Sequence, residues 1–463
     1  MKMAKPVFED LIHGFDGVGH RYLTYPAADR FVEAFSANDY RQALKLRGIG
    51  ATTIAQPISI DVHIPFCKTL CYFCSCNKTI TGRLDRVSAY LKYLSREVDL
   101  HTQQIGVGQT VKQLHLGGGT PTLLSDDALR EFMHMLRTNF SFASKGEYTI
   151  EVDSRAVDVT RLAILRELGF NCLSLGIQDF DPAVQKAIHR VQPYSQVAAL
   201  VTAASQLGFD AINIDLMLGL PRQTAGSFEC TLKQVTALRP ARINLYAYEH
   251  TPDRFKPQRK IAAAELPSEV TKVAMWSSSM AAFIGAGYVH LGMNQFALPT
   301  DSLAIAKRQG RLHWNLHGYS NQPQGDLIGL GVSSIGRIGT TYSQNSKSQE
   351  DYFDHIDQGN FPVERGLGLS RDDLVRRAVI ASLMCQGEVL YESIELAHLL
   401  VFKKYFVTEL EALQTWVDQG VVTRDDSGIQ VTSAGSHLVH VVAMVFDRYL
   451  QADRMRARFS RII

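Results

Sequence analysis

No stretch of this 463-residue chain approaches the ~18 uncharged apolar residues that a membrane-spanning helix needs. Its start, Met1 to Phe15, mixes Lys2, Lys5, Glu9 and Asp10 with isolated apolar residues and lacks the apolar core of a secretory signal. Net charge is nearly absent as well. The 48 Lys and Arg against 46 Asp and Glu leave +2, too even to announce nucleic acid or an anionic membrane as a partner, although local basic pockets are still allowed. There is no solenoid-type repeat and no low-complexity linker, and the 15 histidines do little to point to a function, most being expected at the surface or in the core. Hydrophobic residues make up 46% and charged residues 20%, which excludes a disordered chain, a collagen and a disulfide miniprotein. At ~150 residues per domain the length corresponds to about two to four domains. A cytoplasmic protein is expected, in a compartment where thiols stay reduced unless they bind metal or do chemistry.

What is present is alternation. Ile58-Ser59-Ile60-Asp61-Val62-His63-Ile64 repeats with period two and predicts a strand ending at Pro65. Val87, Tyr90, Leu91, Leu94 and Val98 then mark one face of a helix. Gln113–Leu116 predicts a short strand running into Gly117-Gly118-Gly119. A helix follows with Ser125 as N-cap and Leu129, Phe132, Met133 and Leu136 on its buried face. Further strands are expected at Tyr148–Val152, Cys172–Ile177, Ala211–Met217 and Ile243–Tyr248, with helical patterns between them. About six β/α units before residue 300 predict an α/β protein with a full or partial (β/α) barrel. Around Gly366-Leu367-Gly368 the pattern changes. Ser370 with Asp373 predicts a helix start, and helical patterns at Val375–Leu383, Leu396–Trp416 and His437–Arg456 predict a small, mostly helical C-terminal domain. The expected division is an N-terminal arm over 1–50, the barrel with a substrate-pocket extension over 51–365, and the C-terminal domain over 366–463.

Four of the seven cysteines, Cys67, Cys71, Cys74 and Cys76, fall within ten residues. A structural zinc site usually takes two ligand pairs a dozen or more residues apart, and no second pair follows here. A disulfide framework does not suit a cytosolic chain of this size. An iron–sulfur cluster fits best, because one compact loop places three thiolates on three corners of a cube; zinc stays the second reading. The loop follows the first barrel strand at its C-terminal end, where β/α-barrel active sites sit. Phe66, Tyr72 and Phe73 would shield a cluster there. Cys172, Cys230 and Cys385 lie in apolar stretches and are expected to be small buried hydrophobes.

Cys67-x3-Cys71-x2-Cys74 is the signature of the radical S-adenosylmethionine (SAM) enzymes. The wider string His63-Ile64-Pro65-Phe66-Cys67, continued by Cys71-Tyr72-Phe73-Cys74-Ser75-Cys76-Asn77, resembles the oxygen-independent coproporphyrinogen III oxidase (dehydrogenase) branch of that superfamily. So do Gly117-Gly118-Gly119-Thr120-Pro121-Thr122, Ile150-Glu151-Val152-Asp153, Gly176-Ile177-Gln178-Asp179-Phe180 and Asn213-Ile214-Asp215-Leu216 with Gly219-Leu220-Pro221. Arg21-Tyr22-x-Thr24-Tyr25-Pro26 and the tail Arg458-Phe459-Ser460-Arg461-Ile462-Ile463 are similar to that branch too, so the likeness runs from about residue 10 to the end.

The resemblance implies that Cys67, Cys71 and Cys74 hold a [4Fe–4S] cluster whose open iron takes the amino and carboxylate groups of SAM, with Cys76 not a ligand. It places Gly118, Glu151, Ile335 and the position of Asp61 around that SAM. It places Phe73, Gly119, Thr120, Gln178, Arg190, Asp215 and the position of Glu249 around a second SAM. Taken singly, a glycine run is a turn, Glu151 a strand-end carboxylate and Arg190 a surface arginine; their joint pattern carries the assignment. The implied reaction is oxidative decarboxylation: an electron from the cluster splits SAM, the 5′-deoxyadenosyl radical takes a hydrogen atom from the β-carbon of a propionate, and loss of CO2 and one further electron leaves a vinyl group. Done twice, this turns coproporphyrinogen III into protoporphyrinogen IX. The electron donor is not specified, a monomer is expected, and neither nucleic acid nor a membrane span is part of the picture. Four propionates call for cationic partners, with Arg21 beside Tyr22 and Tyr25 the first candidate.

The sequence departs from the branch near the expected pocket. Asp61 stands where tyrosine is usual, Met293-Asn294-Gln295-Phe296-Ala297 where Met-Asp-His-Phe-Ala is usual, Asn315-Leu316-His317-Gly318-Tyr319 where Asn-Phe-Gln-Gly-Tyr is usual, and Glu249 where alanine is usual. A divergent member with compensating residues is one reading. A paralogue with another radical reaction, methyl transfer or anaerobic haem opening, is the second. A haem-binding chaperone is the third, opposed by the fourth cysteine and the Arg-Tyr-x-Thr-Tyr-Pro arm.

Overall fold

The computed structural model describes residues 24–50, 56–316, 318–323 and 325–454. Helix α1 (Ala37–Gly50) leads into strand β1 (Ile58–Ile64). In β1 the period-two sequence becomes geometry: Ile58, Ile60, Val62 and Ile64 are buried, while Ser59, Asp61 and His63 turn to the opposite face. Helix α2 (Leu84–Ile105) buries Val87, Tyr90, Leu94 and Val98, the stripe its spacing predicts. Strand β2 (Gln109–Gly118) then pairs parallel with β1.

The unit recurs. Helix α3 (Asp126–Asn139) is capped by Ser125, whose Oγ accepts from the Ala128 amide at 3.2 Å, and it buries the four residues expected of it. After it come β3 (Phe140–Val152), α4 (Val159–Glu167), β4 (Cys172–Gln178), α5 (Tyr194–Gln206), β5 (Ala211–Leu218), α6 (Ala225–Leu238) and β6 (Arg242–Ala247). Each of β2 to β6 pairs parallel with its predecessor, so the six expected β/α units are present.

Helix α7 (Glu269–Gly285) is followed by strands the sequence did not announce: β7 (Val289–Gly292), β8 (Gln295–Ala297), β9 (Asp326–Leu330), β10 (Ile335–Ile338), β11 (Thr341–Asn345) and β12 (Val363–Gly368). Most are too short to display alternation. They extend the sheet to twelve strands in the order β12-β11-β10-β9-β1-β2-β3-β4-β5-β6-β8-β7. Among the described residues no ladder joins β12 to β7. β9 lies parallel to β1, while β10 to β12 and β7 to β8 run antiparallel to their neighbours.

Helix α8 (Arg371–Gln386) starts with the capping box read from Ser370 and Asp373. The region beyond it has its own apolar core around Phe402, Phe406 and Phe446. It is less purely helical than expected, because Glu388–Leu390, Val422–Arg424 and Gly428–Val431 form a small antiparallel sheet. The Leu396–Trp416 pattern breaks into short helices, the first ending where Leu399 adopts a left-handed φ of 52°. Tyr25 joins this core, its hydroxyl donating to Asp373 at 3.2 Å. Cys172 and Cys385 are buried as expected, whereas Cys230 is exposed on α6, turned outward by the helical period. Among the described residues, no helix is long and apolar enough to cross a membrane.

Candidate active site

The cysteine loop begins where β1 ends and is fastened at several points. His63 Nε2 lies 2.8 Å from the Asn77 carbonyl, the Thr79 amide donates to Pro65 at 2.6 Å, and Phe66–Cys67 pairs with Thr79–Ile80. Tyr72 stacks on His189 with ring centres 5.0 Å apart, and Gln258 Nε2 donates to the Phe73 carbonyl at 3.3 Å. Cys67, Cys71 and Cys74 are half-buried, and Cys76 is exposed.

Donors from loops beyond the strand ends aim at these thiols. Thr120 Oγ1 lies 3.5 Å from Cys67 Sγ, and Arg155 Nη2 and Arg190 Nη1 each lie 3.7 Å from Cys71 Sγ. Asp153 holds both guanidiniums, at 2.6 Å from Arg155 and 3.4 Å from Arg190. Burial works against its charge, but the two arginines hold its carboxyl at about 2. Hydrogen bonds to thiolate sulfur are what an iron–sulfur centre requires of its surroundings, so these residues fit a [4Fe–4S] cluster. Among the described residues no three His, Cys, Asp or Glu side chains meet as ligands of a single metal ion.

The glycine run crosses directly against this loop. The Gly119 amide donates to the Ile64 carbonyl at 2.7 Å and the Thr120 amide to Phe66 at 2.8 Å. A Cβ on Gly119 would sit 2.6 Å from the Phe66 carbonyl oxygen, and one on Gly118, whose φ is +102°, would sit 2.4 Å from His63 Nδ1. In the fold, protein atoms already take up that space, so the glycines are demanded first by loop packing.

Beneath the loop a chain of hydrogen bonds crosses three strands. Asp61 and His115 are ladder partners on β1 and β2, with Asp61 Oδ1 2.8 Å from His115 Nδ1. His115 Nε2 lies 3.4 Å from Glu151 Oε1, and Glu151 Oε2 accepts from the Gly118 amide at 3.1 Å. Burial opposes charge on His115, but the hydrogen bonds to Asp61 and Glu151 outweigh it and raise the imidazole to about 10. Burial likewise opposes charge on Glu151, which His115 and the Gly118 amide nevertheless hold below the usual carboxylate range. Deeper in the barrel, Asp215 accepts from Ser174, Asn213 and Asn244 at 3.1, 2.8 and 2.9 Å. Burial pushes its carboxyl up, and no cation pairs with it to reverse the shift. Gln178 has a left-handed φ of 70° and a buried Oε1 without a hydrogen-bond partner, an acceptor left open at the cavity wall.

These groups surround one cavity of about 520 Å³. Cys67, Cys71, Cys74, Phe73, Gly118, Gly119, Thr120, Glu151, Gln178, Arg190 and Asp215 all line it. Asp61 stands behind His115. Glu249, half-buried beyond β6, and Ile335, at the start of β10, are not among the lining residues. Arg21 and His317 lie outside the described residues. Sequence reasoning missed His115, Arg155, Ser174, Asn213 and Asn244; for all but Arg155, which lies in the turn after β3, a signal existed in polar residues at alternate positions of strands whose other positions are apolar. Two of the unusual segments also meet each other. Gln295 Oε1 accepts from the Tyr319 amide at 2.9 Å, and a Cβ on Gly318 would sit 2.3 Å from Gln295 Nε2.

Comparison with known proteins agrees with this geometry. Residues 62–235 match the radical SAM superfamily and residues 369–438 the HemN C-terminal domain. The chain is 44% identical to the oxygen-independent coproporphyrinogen III oxidase of Pseudomonas aeruginosa and 42% identical to that of Escherichia coli, each over 98% of both chains. The solved structure of Escherichia coli coproporphyrinogen III oxidase (HemN), described as a radical SAM enzyme, superposes with a TM-score of 0.89 at 40% identity, covering 95% of this chain and 98% of that one. The chain belongs to the oxygen-independent coproporphyrinogen III oxidase family of the radical SAM superfamily.

Proposed function

We propose that this protein carries out the oxygen-independent oxidative decarboxylation of two propionates of coproporphyrinogen III, giving protoporphyrinogen IX for haem biosynthesis. The observation that carries this reading is the continuity of the site: the three thiols of the signature and the polar barrel interior face one cavity. Cluster and SAM, when bound, supply a hydrogen-atom abstractor for the propionate β-carbon. The protein's own residues position and shield that chemistry. Cys67, Cys71 and Cys74 supply the thiolates, and Arg155, Arg190 and Thr120 donate to sulfur. Glu151, held ionised by His115, is suited to the ammonium or ribose of the first SAM, near Gly118, Ile335 and the Asp61–His115 pair. A second SAM is assigned to Phe73, Gly119, Thr120, Gln178, Arg190, Asp215 and Glu249, for which the open acceptor of Gln178 and the carboxylate of Asp215 speak. The electron donor lies outside the chain, and a cytoplasmic monomer divided at residues 50 and 365 completes the proposal.

The contact of Gln295 with the Gly318–Tyr319 segment favours a divergent family member over a paralogue, because the altered residue bonds wall residues that keep the family pattern. The test is anaerobic. Reconstituted enzyme, reductant, SAM and coproporphyrinogen III are expected to yield protoporphyrinogen IX with two 5′-deoxyadenosines per product. Deoxyadenosine without any vinyl product would reassign the substrate.

A further inference from the structure

The lining of the same cavity includes one residue of the C-terminal region, Arg377. Helix α8 sends consecutive arginines in different directions. Arg376 is fully engaged, bonding Asp372 at 2.9 Å, Glu409 at 2.7 Å and the Phe446 carbonyl at 3.0 Å. Arg377 lines the cavity instead, and its Nη1 is buried without a hydrogen-bond partner. A buried, unmatched guanidinium N–H destabilises the fold, so the position is poorly explained by folding alone.

Among the described residues no carboxylate of the cavity wall takes up that charge. Glu147 pairs with Arg242 at 2.9 Å, Glu151 with His115, Asp153 with Arg155, and Asp215 is held by neutral donors. A second cation, Arg337, lines the same cavity; its guanidinium donates to the Gly325 carbonyl and bonds the Tyr342 hydroxyl. Burial and the nearby charge of Arg377 both weigh against the positive charge of Arg337, which an arriving anion would relieve. Thr24 and Tyr25 line the cavity as well, so the chain that follows Arg21 reaches it.

We propose that Arg377 is a substrate-binding residue, whose Nη1 takes a propionate carboxylate of the porphyrinogen where the C-terminal region lines the cavity. This rests on the porphyrinogen reading above and adds to it the group that anchors the substrate away from the cysteine loop. A planar guanidinium forms paired, charge-assisted hydrogen bonds with a carboxylate, which an ammonium or an amide cannot reproduce.

The test uses the reconstituted full-length protein and two air-stable probes, coproporphyrin III and its tetramethyl ester, followed by fluorescence quenching. Wild type is expected to bind the free acid at least tenfold more tightly than the ester. Arg377→Gln is expected to weaken acid binding about tenfold and leave the ester unchanged, with Arg377→Lys intermediate. With coproporphyrinogen III as substrate, KM should rise more than kcat falls. Cluster iron content and urea midpoints show whether each variant is folded, and Arg377→Lys serves if Arg377→Gln is not. Equal affinity for acid and ester in wild type, or unchanged acid binding and KM in folded variants, would overturn the proposal. Carboxylate-dependent binding without any vinyl product would instead overturn the decarboxylation reading and leave Arg377 as a carboxylate anchor.

Discussion

Replacing Asp61 with asparagine removes one of the two carboxylates that keep His115 charged. The hydrogen bond concerned is 2.8 Å long, and its side chains are only 23% and 18% exposed, so water screens it little. His115 is raised from 6.5 to about 10 and is a cation at neutral pH. A histidine with a raised folded pKa contributes stability that is complete below its unfolded value and disappears as pH rises through its folded value. The window therefore runs from 6.5 to about 10. That interval sets a ceiling of about 5 kcal/mol, shared between Asp61 and Glu151. A single hydrogen bond to a charged group contributes ~1.5–3 kcal/mol, so Asp61→Asn should lose about 2 kcal/mol near pH 7. The difference should shrink as the wild-type imidazole deprotonates toward pH 10. Anaerobic urea unfolding at a series of pH values measures this, and a histidine NMR titration follows His115 directly, with a lower midpoint expected in the variant. Superimposable stability curves for the two proteins from pH 6 to 10 would refute the assignment of Asp61 as the group that holds His115 charged.

Serine at Cys67, Cys71 or Cys74 should each abolish cluster incorporation, while Cys76→Ser retains it; iron and sulfide content of the reconstituted proteins distinguishes the four. Arg155→Met removes a donor to Cys71 Sγ and should move the cluster potential to more negative values, because hydrogen bonds to sulfur favour the reduced state; an EPR-monitored redox titration reads the shift. Gly119→Ala forces a methyl to within 2.6 Å of the Phe66 carbonyl oxygen and should weaken SAM binding at least tenfold in equilibrium dialysis by displacing the cysteine loop. Ser370→Ala deletes the capping box of α8 and should cost ~1 kcal/mol in urea unfolding.

The features legible in the sequence were those written in neighbouring residues. Period-two alternation located β1, and the stripes of α2 and α3 came from helical spacing within single segments. The Ser370–Asp373 box needed only four consecutive residues. The strands from β7 onward were not legible, since most are too short for a period to repeat. The helical pattern expected over Leu396–Trp416 is interrupted because Leu399, exposed at the end of a short helix, takes a left-handed φ of 52°, which no local pattern signals.

The sequence by itself determined that three thiols share one loop at the end of a parallel strand, because ligand spacing and strand termination are local properties of the chain. Only the tertiary structure decided what that loop faces. Asp61 and His115 are 54 residues apart and touch because β1 and β2 pair in one register. A slip of one residue would turn the imidazole to the other face of the sheet. The same holds for Asp215, which meets Asn244 as its ladder partner on β6, and for Arg377, which lines the cavity from α8. Register and the docking of distant segments are set by the whole core, and so the partners of each charged group appear only once the chain has folded.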